Sequence, residues 1–230
     1  MRDQTEYVQS QLGEGASKRA ARIAGVLFII ATASTMAAQV ILTPLLEAPQ
    51  VATDPQTHLI ALAVLLEIAN ALASAGIAIA FYPVLRRCAE LAATGYLGLR
   101  IIEGAAGVVA AAVLAMIVST NSDDMAFALG LHDTAFLMVL LVFSIGTLFL
   151  YPMLYAFRLV PPVLSLWGLI GGMMLLVSCV LILFGRITSG GTTDLILSLP
   201  IWVNEMALAL WLIVQGVDLS RVGSGDQHAT

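Results

Sequence analysis

Six long apolar stretches divide the chain, at about residues 22–43, 58–82, 92–118, 134–157, 162–184 and 195–216. Polar breaks such as TPLLEAPQVATDPQT, STNSDD and SGGTTD separate them and carry the Pro, Gly, Asp and Ser that interrupt helices. A helix rising about 1.5 Å per residue needs roughly 20 residues to cross about 30 Å of hydrocarbon. Each stretch meets that length, so the pattern predicts an all-α integral membrane protein, a bundle of six transmembrane helices. Pro162 suits the first turn of the fifth helix, where a missing N–H does no harm. The polar ends, 1–20 and 218–230, read as mobile segments flanking one membrane domain, 21–217.

Composition agrees with that class. Hydrophobic residues make up 60% of the 230 and charged residues 11%, outside the range of a soluble domain. The basic residues set an orientation. With the N-terminus inside, the cytoplasmic segments hold Arg2, Lys18, Arg19, Arg22, Arg86, Arg87, Arg158 and Arg221, and the outer ones only Arg186. Both termini are therefore expected in the cytoplasm. Acidic residues in the outer loops (Glu47, Asp54, Asp123, Asp124, Asp194) account for much of the net charge of −5, and no nucleic-acid footprint is present. The first span, KRAARIAGVLFIIATASTMAA, has the basic flank and small residues of a cleaved signal peptide. Its apolar run continues to Leu46, which favours a retained helix. Cys88 and Cys179 fit no metal motif, and His58, His132 and His228 are scattered, so neither a metal nor a cofactor is expected. His132 reads as a residue at the start of a helix near the interface.

Four ionisable residues lie deep within the spans. Counting from helix ends, Glu67 lies about 14 Å from its end, Arg100 about 14 Å, Glu103 about 18 Å and Glu205 about 15 Å, which places all four in one central slab. Each costs roughly 2.5–3.5 kcal/mol to insert. Tyr96, Arg100, Glu103 and Gly107 share a face of the third helix, Glu67, Asn70 and Ser74 a face of the second, and Trp202 and Glu205 a face of the sixth. Thr32, Thr35 and Gln39 form a milder polar stripe on the first. These faces imply a cavity between helices two, three and six, roofed by residues 132–134, with Asp133, Phe136 and Phe143 at its approach. Arg100 holds one carboxylate and the other acids lack a basic partner, so at least one of Glu67, Glu103 and Glu205 should hold a proton near neutral pH. The plainer reading is that Arg100 and Glu103 neutralise each other and lock helix packing. Gly95, Gly98, Gly104, Gly107, Gly168 and Gly172 suit close helix contact.

Several stretches carry a resemblance: KRAARIAGVLFIIAT, LRIIEGAAGVV, LHDTAFL, RLVPPVLSLWGLIGG and LPIWVNEMALALWLIVQGVDL. Over nearly its whole length the chain resembles the bacterial membrane family called domain of unknown function 4386, abundant in actinobacteria. The resemblance implies six helices, with a patterned Arg–Glu in the third and a Glu in the sixth, here Arg100, Glu103 and Glu205, and a multi-pass location in a bacterial inner membrane. Pro162 departs from the pattern, which has a basic residue there, and Glu67 belongs to it less clearly. The family name supplies no function.

Three functions fit these residues. The first is an intramembrane general acid–base enzyme of cyclase or isomerase type. Glu67, Glu103, Glu205 and Arg100 would be catalytic, and Tyr96, Asn70, Asp133, Phe136 and Trp202 would bind a lipophilic substrate, on the general plan of integral-membrane terpene cyclases. The second is a proton-coupled transporter or exporter of a small cationic or lipophilic compound, working as a homodimer. The third is a non-catalytic partner within a membrane complex.

Overall fold

The computed structural model describes the backbone of residues 2–47, 54–119 and 125–218, and side chains within 15–44, 58–116 and 127–218. Six helices and no strand occur among the described residues. They are α1 (Arg2–Glu47), α2 (Asp54–Leu85), α3 (Glu90–Ser119), α4 (Met125–Ala156), α5 (Pro162–Leu183) and α6 (Thr192–Val214). All six are long and apolar enough to span a membrane.

Two helices start earlier than the hydropathy pattern predicts. α1 begins at Arg2, so residues 2–20 of the polar segment 1–20, expected to be mobile, continue the helix. The segment has no proline and is rich in tolerated helix residues. α4 begins at Met125 rather than near 134, because MAFALGLH contains no breaker stronger than Gly130. His132 and Asp133 therefore lie within a helix instead of forming a roof. The expected C-terminal tail falls, from residue 219, outside the described residues.

Each helix packs on its neighbours in sequence, and α1 meets α6, so the six close into a ring. Water cannot drive helices together inside a bilayer, so close packing of side chains and backbone does. Glycines supply it at several crossings. A Cβ on Gly104 would stand 2.8 Å from the Ala71 carbonyl on α2, and one on Gly171 would stand 2.8 Å from the Ile201 nitrogen on α6. Gly98, expected among these contacts, faces open space instead.

The two ends of the bundle are tied differently. At one, the Asp218 N–H donates to the Leu159 carbonyl at 3.1 Å, joining the end of α6 to the α4–α5 turn. Gly216 also lies against Lys18 of α1 there. At the other, Asp194 in the first turn of α6 accepts from Ser178 Oγ at 2.7 Å and from the Gly190 N–H at 2.8 Å.

The buried apolar residues form two clusters. The larger joins all six helices and includes Phe28, Phe81, Tyr96, Tyr151, Leu175 and Leu208. The smaller (Ala38, Leu42, Ile60, Ala63, Leu114 and Leu129) belongs to α1–α4 at the end where α2 and α4 begin, and holds no residue of α5 or α6. α1 and α6 are close where Gly25 abuts the Ala209 carbonyl, 2.8 Å from a Cβ built there. Beyond that contact α1 turns its apolar side to α2–α4. A pocket lies at this division.

A candidate site around a buried arginine

Arg100 is the centre of the pocket. It is 3% exposed, on the face of α3 that packs against α2. Its Nε donates to the Ser74 carbonyl at 3.2 Å and its Nη1 to Glu103 Oε2 at 3.0 Å. The guanidinium carbon is 5.3 Å from the Phe143 ring centroid and 6.0 Å from that of Phe28. Helical spacing explains the ion pair, since residues three apart are neighbours on a helix surface. The Ser74 carbonyl is open to Arg100 because the small residues Gly104 and Ala71 let α2 and α3 approach. A guanidinium so placed has a paired charge, hydrogen bonds and two aromatic faces in place of water.

Two other groups complete the polar wall. The Ser74 hydroxyl is hydrogen-bonded to Glu103. Glu205 of α6 lies near enough to act electrostatically on Arg100, and its carboxylate accepts from the Thr32 hydroxyl of α1. Thus two carboxyls of different circumstance face one void. Glu103 is clamped by a cation and a hydroxyl, whereas Glu205 has a hydroxyl and, among the described residues, no cation bonded to it.

The void measures about 50 Å³. At roughly 10–15 Å³ for each water-sized group, it admits a small functional group and not a whole lipid. Ala31, Thr32, Thr35 and Met36 line it from α1, Asn70 and Ser74 from α2, and Arg100 and Glu103 from α3. Phe136, Val139, Leu140 and Phe143 come from α4, and Trp202 and Glu205 from α6. Exposure rises from the buried Arg100 and Glu103 to Met36 at 46%. The mouth therefore lies beside α1, where α1 and α6 part.

The expected residues fall into two groups. Arg100, Glu103, Glu205, Asn70, Phe136 and Trp202 line this pocket. The other three do not. Tyr96 is buried in the larger cluster one turn from Arg100, with its hydroxyl lacking a hydrogen-bond partner among the described residues. Asp133 accepts from Ser189 Oγ at 3.2 Å in the α5–α6 connection. Glu67 lies two turns along α2 from Ser74, about 10 Å of helix rise, and so outside the level of Arg100. It pairs with His132 of α4, Oε1 to Nε2 at 2.7 Å, with both residues buried. The cavity is thus bounded by α1, α2, α3, α4 and α6, not by α2, α3 and α6 alone.

His132 is the main residue that sequence reading missed. Its signal was present: residues 132, 136, 139 and 143 recur at helical spacing, so a helix that started earlier would have placed His132 on the face of Phe136 and Phe143. The imidazole stacks on Phe136, with centroids 6.2 Å apart and planes at 20°. Among the described residues no three His, Cys, Asp or Glu side chains gather as a metal site.

Two comparisons with known proteins, one against curated proteins and one against solved structures, find no match. A family model described as a domain of unknown function (DUF4386) matches residues 23–216, which takes in every residue of the pocket. The chain, with its six apolar helices and its buried Arg–Glu pair, belongs to the DUF4386 family.

Proposed function

We propose that the pocket performs acid–base chemistry on a lipophilic molecule drawn from the bilayer, of isomerase or cyclase type. The observation that carries this reading is the pair of unlike carboxyls across one aromatic-walled void. Glu205, with no cation bonded to it, gives a proton to one carbon of an alkene. The cation formed rests against Phe136, Phe143 and Trp202. Glu103, held as a carboxylate by Arg100 and Ser74, removes a proton from a neighbouring carbon. One proton enters and one leaves, so the double bond moves without any co-reactant. The small void takes the reacting carbons, and the rest of the substrate lies in the mouth beside Met36.

The test does not require the substrate to be known. Purified protein in lipid nanodiscs is incubated in D2O with a bacterial lipid extract, and the lipids are then read by mass spectrometry. The expected outcome is a lipid that gains carbon-bound deuterium with the wild-type protein and not with Glu205→Gln or Glu103→Gln. Equal incorporation in all three, or none in any, would sink the reading.

One observation favours a second reading. A carboxyl with no bonded cation beside three aromatic faces also suits a cationic cargo, which points to proton-coupled transport. Vesicles carrying the protein would then move a lipophilic cation in response to a pH gradient, and the deuterium experiment would show no new C–D bond.

A further inference from the structure

The Glu67–His132 pair lies outside the pocket, and the chemistry above does not use it. It has a property that a structural ion pair lacks. Both outer atoms, Glu67 Oε2 and His132 Nδ1, are buried without a hydrogen-bond partner among the described residues. Leaving a buried polar atom unpaired costs about 1–3 kcal/mol, so a pair kept only to join α2 to α4 would have its ends capped by the fold. The two side chains instead make a chain open at each end: Oε2, the carboxyl, Oε1, Nε2, the imidazole, Nδ1.

Such a chain moves a proton without moving an atom far. With the Glu67 proton on Oε2 and the His132 proton on Nε2, a proton taken up at Nδ1 lets Nε2 pass its own across 2.7 Å to Oε1 while Oε2 releases the one it held. One proton enters and one leaves. The reverse order works equally.

The surroundings give the path two ends. On one side stands the pocket: Asn70 lies one turn from Glu67 and Phe136 one turn from His132, and both line the void. On the other side, one turn beyond, Ala63 and Leu129 belong to the smaller apolar cluster. A side-chain carrier is useful where apolar packing keeps water out. The other titratable side chains on the packed elements are distant or engaged. Arg100 and Glu103 of α3 hold each other, Asp133 holds Ser189, Cys179 is the only such group on α5, and α1 has no charged residue between Arg22 and residue 44.

We propose that Glu67 and His132 form a proton relay that loads the pocket from the end of the bundle where α2 and α4 begin. The proposal rests on the reading that Glu205 carries a proton, and the experiment separates the two. Infrared spectroscopy of the protein in nanodiscs follows the carbonyl stretch of a protonated carboxyl after a jump from H2O to D2O. The Glu205 band is identified by its loss in Glu205→Gln. The expected result is hydrogen–deuterium exchange at Glu205 slowed on the order of a hundredfold in Glu67→Gln and in His132→Gln. Glu67→Gln keeps the shape and a hydrogen bond to His132, so a purely structural pair predicts no slowing. Loosened packing would speed exchange, the opposite sign. If one variant does not elute as a single folded species, the other decides. Wild-type exchange rates in the folded variants overturn the relay and leave the acid role of Glu205 standing. Absence of a Glu205 band in the wild-type protein overturns both.

Discussion

A guanidinium inside a six-helix ring is held by the partners that stand in for water. Arg100 has Glu103, the Ser74 carbonyl and two aromatic faces, and removing one member leaves the other charge buried and unpaired. Such a change costs about 3–5 kcal/mol, whereas replacing both members by apolar residues of similar volume is often neutral. Arg100→Met and Glu103→Met should each lower the denaturation midpoint in detergent strongly, and the double variant should recover most of the loss. The same proteins separate a packing lock from a working site. A lock predicts that the double variant regains deuterium transfer to lipid along with stability; a site predicts that it regains stability alone. At this scale the residue types and depths of Arg100, Glu103 and Glu205 were legible, because an ionisable group in a long apolar run has few structural excuses. The partner of Glu67 was not. Depth along a helix follows from counting residues, but the direction in which a side chain points around the axis depends on which neighbour the helix meets.

Helix against helix, the packing depends on where side chains are missing. Gly104 lets α2 and α3 approach until a methyl group at that position would press on the Ala71 carbonyl at 2.8 Å, and backbone cannot move aside as a side-chain tip can. Gly98, close by on the same helix, meets nothing within 4 Å. Gly104→Ala should therefore destabilise the protein by about 1–3 kcal/mol, and Gly98→Ala should fall within about 0.5 kcal/mol of wild type. Equal effects in an unfolding titration would contradict the α2–α3 geometry. The sequence presented both glycines alike, since spacing identifies small residues and not which of them face a partner. The late expected start of α4 has a similar origin. Hydropathy marks the apolar part of a helix, while its first turns are set by backbone hydrogen bonds that polar residues such as His132 and Asp133 also make.

For the whole molecule, short connections between six membrane-length helices force an up-and-down path, which brings the last turn of α6 to the side on which α1 enters the bundle. The contacts of Gly216 with Lys18 and of Asp218 with Leu159 join α1, the α4–α5 turn and α6 at that end. The distribution of basic residues leads us to propose that this end is the cytoplasmic one. In a background lacking the two native cysteines, a membrane-impermeant maleimide should label Arg186→Cys in intact cells, and Arg87→Cys only after permeabilisation. The reverse pattern would invert the protein and place the relay at the cytoplasmic end of the pocket.

The chain by itself determined the solvent it folds in, the number of its spans and the acids and base that it buries, since each follows from local composition and the thickness of a bilayer. Only the tertiary structure decided that Glu205 joins Arg100 and Glu103 while Glu67 leaves them for His132. Those assignments depend on how each helix is rotated about its axis and where α1 parts from α6. That rotation is fixed by glycine contacts and aromatic packing between segments far apart in sequence, so no count along a single helix contains it.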